Sequence, residues 1–468
     1  MIIDIQTPQG FETERLYVLS ILMKDYLGFD MRVIASHDSK TIISLENGKA
    51  IHLDDSFFSQ SESDWLKTST LPKEPCKVWD TRNSCLEANL LDSVIPIIYG
   101  KPLSNNSYFS INKNIVELGL DIFGSSFFML SRYEEAINKE SLDQHDRFIF
   151  ENSVAYKENF LHRPIINEYL EILWACMKYL CPNLTRRKRS FRLLPTHDVD
   201  IPTDPATRSL FFATKHILFG DILKRRDLKL AKSRMSNLIR VRKSGLSFDH
   251  FNNFAHIMSL SEKNNLISTF NFISDHTAGA VDGFYSIDDP FIRGLLKKVH
   301  ERGHEIGIHP SYNSYDSASI ITKELEILQK VCLEESILQK KWGGRQHFLR
   351  FHIPETFINL DQAGLDYDNS MTYAGYAGFR CGICYEYPAY DLKERKCLRL
   401  RVKPLIAMEC SVIDGKYMGL GTGQEAYDFL NRLKVACKQF HGDFTLLWHN
   451  NWLIYADEQK LYESLITH

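Results

Sequence analysis

The hydrophobic positions of this chain change their period near residue 190. Before that point the pattern is mixed. Residues 11–27 place Leu16, Leu19, Leu22 and Tyr26 at helical spacing, and residues 41–45 and 94–98 are short apolar runs of strand type. Residues 115–130 and 165–180 predict two further helices, the second with Pro164 in its first turn, where a missing N–H is tolerated. From 191 onward, short apolar runs alternate with amphipathic segments. Strands are expected at 191–195, 268–274, 305–308, 347–351, 365–368, 398–402, 405–408 and 444–448. Helices are expected between them at 249–262, 290–302, 318–335, 354–363 and 424–439. Repeated strand–helix units imply an α/β fold with a parallel sheet, open or closed into a barrel. In such folds the chemistry gathers at the carboxyl ends of the strands.

The stretch 181–190 joins Pro182, Asn183 and the run Arg186-Arg187-Lys188-Arg189, which marks a boundary. The expected division is a smaller mixed α/β unit, 1–185, and a larger strand–helix unit, 190–468. The length of 468 residues agrees with two or three domains, since one core does not grow that large. With 44% hydrophobic and 25% charged residues, disorder, collagen-like repeats and a disulfide-stapled miniprotein are excluded. The ten cysteines show no scaffold spacing and read as reduced thiols of a cytoplasmic protein. The lone CxxC pair, Cys381 and Cys384, reads as structural. The opening Met1-Ile2-Ile3-Asp4 predicts no signal peptide, and no apolar run predicts a transmembrane helix.

Applied to the polar residues, the strand-end rule selects a small set. The first strand of the larger unit ends in Thr196-His197-Asp198-Val199-Asp200. Two carboxylates two apart on an extended chain point the same way, which is unfavourable unless a cation lies between them or one is protonated. An Asp-rich turn is the plainer reading. A later strand ends in His309, followed by Pro310-Ser311-Tyr312-Asn313, and a neutral imidazole there can ligate a metal. His304, at the start of that strand, is expected at the opposite end. Arg350 lies in the apolar run 347–351; buried, it needs a carboxylate, and Asp198 is the expected partner, with a snorkelling surface arginine as the other reading. His449 follows four apolar residues at the last strand end and suits proton transfer. Together these positions suggest metal-assisted hydrolysis.

The order of these motifs resembles the NodB-homology polysaccharide deacetylases, carbohydrate esterase family 4, over roughly residues 190–460. The resemblance implies a distorted (β/α) barrel preceded by a smaller mixed α/β domain. It also implies a metal-dependent hydrolase that removes N- or O-acetyl groups from a sugar of a surface polysaccharide or its precursor. By position, Asp198 would be the base, Asp200 and His309 metal ligands, Arg350 the residue orienting the base, and His449 the acid. Asp368, in Asp366-Tyr367-Asp368-Asn369-Ser370, would orient His449. A backbone N–H near Tyr312 would meet the oxyanion. The cofactor implied is a divalent cation, zinc above all. The substrate implied is a carbohydrate, as polymer, lipid-linked oligosaccharide or nucleotide sugar.

One position departs from the family. The second histidine of its H-x-x-x-H motif is Asn313 here. Three outcomes stay open: Asn313 ligates, His352 or His197 replaces it, or the site works without tightly bound metal. The last admits an amidohydrolase or deformylase-type activity, and a degenerate binding or scaffold subunit is the non-enzymatic alternative. Residues 1–180 look similar to a domain found beside such barrels in bacterial surface-polysaccharide gene clusters. The stretch from Asp121 to Glu135, ending in Arg132, Glu134 and Glu135, carries that likeness and reads as a packing interface.

Charge adds one further feature. The net −3 conceals 16 Lys and Arg against 5 Asp and Glu in residues 186–243. Most of that excess falls in an insertion at about 205–245, interleaved with Leu210, Phe211, Phe212, Ile217, Leu218, Ile222 and Leu223. This pattern suits peripheral contact with an anionic inner-membrane surface, with a solvated lid or a domain-docking helix as the other readings. Nucleic acid is not expected, because no binding motif accompanies the charge.

Overall fold

Alternating apolar residues in 2–8 bury Ile3 and Ile5 on one face of a strand, and the first sheet grows around that strand. The computed structural model describes residues 2–467. The first sheet has six strands: β1 (Ile2–Pro8), β2 (Asp30–Ser36), β3 (Thr41–Ser44), β4 (Ala50–Leu53), β7 (Phe109–Asn112) and β8 (Ile115–Leu118). Their order is β2-β1-β3-β4-β8-β7, while β5 (Lys77–Asp80) and β6 (Val94–Ile97) form a separate ribbon. The helix expected over 115–130 is split. Residues 115–118 join the sheet beside β4, and the helix Ile122–Leu130 begins only after Asp121, whose carboxylate accepts from Gly124 N at 2.7 Å. That N-cap, following Gly119, is the local reason for the break.

The larger unit holds a nine-stranded sheet. Its strands are β9 (Arg192–Val199), β10 (Thr269–Phe272), β11 (Glu305–Ile308), β12 (Gly343–Gly344), β13 (Tyr367–Asp368), β14 (Tyr387–Asp391), β15 (Lys396–Val402), β16 (Ala407–Met408) and β17 (Asp443–Leu447). The order is β14-β15-β13-β12-β11-β10-β9-β17-β16. Every pairing is parallel except β14 with β15. Among the described residues no ladder joins the edges β14 and β16, so hydrogen bonds do not close the expected barrel. The sheet nevertheless curves enough that the ends of β9, β11, β12 and β17 meet at one cluster.

The strand expected at 347–351 is displaced. The ladder residues are Gly343 and Gly344, and 347–349 form a tight turn with Phe348 at φ 60°. A Cβ on Gly344 would lie 1.8 Å from the Ile308 carbonyl oxygen, so only glycine lets the two strands approach here. This shift decides which residues stand at the end of β12.

The two units share one continuous apolar core. Tyr17 donates to the Pro388 carbonyl at 2.7 Å and packs on Tyr390 with ring centroids 4.7 Å apart. Arg132, fully buried, bonds Glu134, Glu135 and Tyr373, while Arg380 also bonds Glu135. Cys381 and Cys384 are buried and unbridged, and Cys384 N donates to Asn167 at 3.1 Å. Among the described residues no helix is long and apolar enough to cross a membrane.

Candidate active site

Strand β9 carries Asp198 into the interior, where its side chain is 3% exposed. Asp198 Oδ1 accepts from Arg345 Nη1 at 2.8 Å and from Asn271 Nδ2 at 2.7 Å. Gly307 makes room for Asn271, since a Cβ there would fall 2.0 Å from the amide oxygen. Arg345 is fixed by further bonds to Thr196 Oγ1 (2.9 Å) and the Asn369 carbonyl (3.0 Å). Burial pushes the Asp198 carboxyl up, but the guanidinium of Arg345 and the imidazoles of His309 and His449 outweigh it, and the net shift is downward.

Asp200, just beyond the strand, faces three imidazoles. Its Oδ1 lies 3.1 Å from His309 Nε2 and 3.9 Å from His347 Nε2, and its Oδ2 lies 3.5 Å from His449 Nε2. Burial raises its pKa, yet His309 and His347 more than offset that and hold it well below the carboxylate range. The tautomers of the two ligand-type histidines follow from their partners. His309 Nδ1 donates to the Arg345 carbonyl at 2.5 Å, and His347 Nδ1 donates to Asp282 Oδ1 at 3.0 Å. Both Nε2 atoms are therefore presented to Asp200, the outer-shell arrangement usual around a metal. Asp282 is itself pinned by Tyr312 N (2.6 Å) and Ala278 N (2.7 Å).

Asp200, His309 and His347 place one donor atom each within 4.8 Å of one another. Among the described residues, Asp200 Oδ1 is buried without a hydrogen-bond donor. Two imidazoles and one carboxylate, whose Oδ1 is that orphaned oxygen, fit a borderline divalent cation. Burial opposes protonation of His309, but Asp198 and Asp200 raise its pKa overall. In His449 the same opposition is overcome by Glu409 and Asp200, and its pKa stands well above the usual value. His449 Nδ1 donates to Glu409 Oε1 at 2.5 Å, and Glu409 is fully buried.

Several expected positions lie elsewhere. Asn313 is exposed; its Oδ1 accepts from Arg350 Nη1 at 3.0 Å and its Nδ2 donates to the Thr277 carbonyl at 3.1 Å, away from the cluster. Arg350 does not meet Asp198. It pairs with Asp146, donates to the carbonyls of His145 (3.0 Å) and Tyr312 (2.8 Å), and stacks on Tyr312 and Tyr315. Arg350 thus fastens the loop of residues 142–148 to the larger unit. Asp368 bonds Ser370 N (3.0 Å) and Ser370 Oγ (2.5 Å) rather than His449, and burial lifts its pKa to about 6. Tyr312 N is taken by Asp282, so it is not a free oxyanion donor. His197 donates to the Trp448 carbonyl at 2.6 Å, and burial lowers its pKa to about 3. His352 packs on Tyr315, and His304 sits at the opposite strand end, 3.5 Å from Glu262.

The positions that replace these are Arg345, His347 and Glu409. All three stand just past a short strand: the first two after β12, the last after β16. Gly343-Gly344 before Arg345, and Glu409 directly after the apolar run 405–408, were the available signals.

The cluster opens into a cavity of about 210 Å³ lined by Asp198, Asp200, His309, His449, Phe348, Tyr417 and Trp452. Arg147, from the 142–148 loop of the smaller unit, also lines it. Its guanidinium bonds Asp143 at 2.8 Å and the Phe348 carbonyl at 3.1 Å.

A family of unknown function, DUF7033, matches residues 3–182. No curated protein matches the chain. Among solved structures the chain is similar to one described as a polysaccharide deacetylase from Mycobacterium smegmatis, at 14% identity and TM-score 0.38, over 60% of this chain and 84% of that one. It is also similar to Puue allantoinase, at 12% identity and TM-score 0.35, over 59% and 82%. The Xyl-CE4 domain of a multidomain xylanase from the hindgut metagenome of Trinervitermes trinervoides matches at 12% identity and TM-score 0.27, over 60% and 81%. Likeness at this level assigns no activity, so the chemistry rests on the side chains.

Proposed function

We propose that this chain is a metal-dependent hydrolase that removes an acyl group, acetyl above all, from the nitrogen or oxygen of a sugar. The observation that carries the reading is the placement of two proton-transfer groups around one three-donor cluster. Asp198 is kept ionised by Arg345, His449 is kept protonated by Glu409, and Asp200 faces both His309 and His449.

Asp200, His309 and His347 would hold the cation. A divalent ion bound there supplies Lewis-acid polarisation of the acyl oxygen and lowers the pKa of water. Asp198 then acts as general base. Arg345 and Asn271 occupy its Oδ1, which leaves Oδ2 to take a proton from the attacking water. The water oxygen bonds to the acyl carbon, and the bond from that carbon to the sugar nitrogen or oxygen breaks. His449 gives its Nε2 proton to the departing amine or alcohol. Glu409, bonded to Nδ1, keeps the imidazole in the orientation and charge state that allow this.

A sugar substrate suits the walls of the cavity. Trp452, Phe348 and Tyr417 offer ring faces for stacking, while Gln346 and Asn451 offer amides to hydroxyls. That His347 stands in the cluster while Asn313 lies outside it supports the metal-dependent reading over a degenerate or metal-free site. Acetate release from N-acetylated and O-acetylated oligosaccharides, before and after chelation, tests the reading. Release that survives complete removal of metal would contradict it.

A further inference from the structure

The insertion between β9 and β10 folds back on itself as a helical hairpin. Leu210–Ala213 continues into a wider helix, Thr214–Arg225, and the chain returns as Leu228–Ser244. The inner face of this hairpin is complete. Ala206, Ala213, Ile217, Ala231 and Leu238 form a small apolar core, and Arg234 is held by Asp204 and Asp221 beneath it.

The outer face is different. Phe211, Leu210, Leu228, Leu223, Phe219 and Ile239 are 72%, 68%, 69%, 59%, 58% and 51% exposed. Phe211, Phe219 and Leu223 recur at intervals of four and eight, so they share a side of the first arm. Lys215, Lys224, Arg226, Lys232, Arg240 and Lys243 lie exposed among them. None of these six is ion-paired among the described residues. Asp221, one of only two acids in this hairpin, is buried. Single exposed apolar side chains are ordinary, but several sharing one side of a helix form the contiguous patch that marks a docking face. A cation-rich rim around them matches a layer of anionic headgroups over hydrocarbon.

We propose that this hairpin is a docking surface for an anionic lipid bilayer, with Phe211, Phe219 and Leu223 entering the headgroup boundary and the surrounding Lys and Arg neutralising lipid phosphates. A cavity of about 270 Å³, lined by Asp200, Ile201, Pro205, Arg208 and Leu246, runs from the cluster to the foot of the hairpin. The surface carries this inference without the proposed reaction.

Flotation of the full chain with phosphatidylcholine vesicles holding about a third phosphatidylglycerol tests it. The chain is expected to float with these vesicles, to stay behind with pure phosphatidylcholine, and to bind less tightly as salt rises. The pair Phe211→Ser and Phe219→Ser is expected to weaken partitioning about a hundredfold, from the apolar area lost. Thermal unfolding and the far-ultraviolet circular dichroism of that variant should match wild type. Leu223→Ser with Leu228→Ser provides a second reading should the first pair disturb folding. No flotation at low salt would overturn the proposal. So would flotation that neither pair alters, which is charge adsorption alone, or a dimer in light scattering that both pairs dissociate, which assigns the face to a second copy.

Discussion

Arg345 and His309 are locked to each other: the arginine carbonyl accepts the His309 Nδ1 proton at 2.5 Å, while the guanidinium reaches Asp198 at 2.8 Å. One residue thereby fixes the tautomer of a ligand-type histidine through its backbone and the charge of the candidate base through its side chain. The division predicts that Arg345 side-chain variants disturb Asp198 and spare His309.

Arg345→Met leaves Asp198 buried without its main cation. The carboxyl pKa should rise, because Arg345 is the largest influence lowering it against burial. The acidic limb of the kcat/KM profile therefore moves to higher pH. Stability should fall by about 3–5 kcal/mol, the usual cost of breaking a buried pair from one side. Urea unfolding and the pH–rate profile measure both, and metal content should persist, since His309 is held by the backbone carbonyl.

Glu409→Gln acts on the opposite limb. His449 donates a proton, so it works below its own pKa, which Glu409 and Asp200 raise against the effect of burial. Removing the Glu409 charge lowers that pKa, and the basic limb should move to lower pH while the acidic limb stays. A profile shifted on the acidic side instead would separate Glu409 from His449 in function.

Asp368→Asn should stabilise the protein at alkaline pH. Burial lifts the Asp368 pKa to about 6 from the ordinary 3.8. A carboxyl whose folded pKa is raised opposes folding once it ionises. The penalty is absent below about pH 4 and grows through pH 6, to about 3 kcal/mol. The asparagine variant should gain that amount at pH 8 and nothing at pH 4, with turnover retained. Denaturation midpoints at the two pH values check the sign.

Arg350→Lys separates the stapling role from catalysis. Arg350 bonds Asp146 and two carbonyls and stacks on two tyrosines, and a lysine cannot reproduce that planar fork. The variant should lose about 1–3 kcal/mol while both limbs of the pH profile stay in place. Arg147→Ala, at the cavity wall, should raise KM more than it lowers kcat.

The parts of the site legible in the sequence are those on strands long enough to show a pattern. Asp198 lies near the end of an eight-residue strand with Asp200 just beyond it, and His449 comes soon after a five-residue one. His309 follows four residues whose neighbours supply a clear βα rhythm. Arg345 and His347 follow a strand of two glycines, which has no side-chain pattern to read. The apolar run Phe348-Leu349 and Phe351 drew the expected strand downstream and made Arg350 look like a strand-end residue. Phe348 and Leu349 instead adopt positive φ in a tight turn. Asp368 and Asn313 were expected in the site from motif position alone. Their real partners, Ser370 and Arg350, are set by burial and by the neighbouring loop, which the spacing does not encode.

Metal binding by wild-type protein and by the His347→Ala, Asn313→Ala and Asp282→Asn variants, with acetate release measured on the same samples, is the most direct test. The expected result is one divalent ion per wild-type chain and an unchanged ion with Asn313→Ala. Asp282→Asn should weaken affinity about 10- to 100-fold, and His347→Ala should lose more. Activity should follow occupancy. A wild-type chain that turns over sugar acetates with no bound metal, or a His347→Ala variant that keeps both ion and rate, would contradict the assignment.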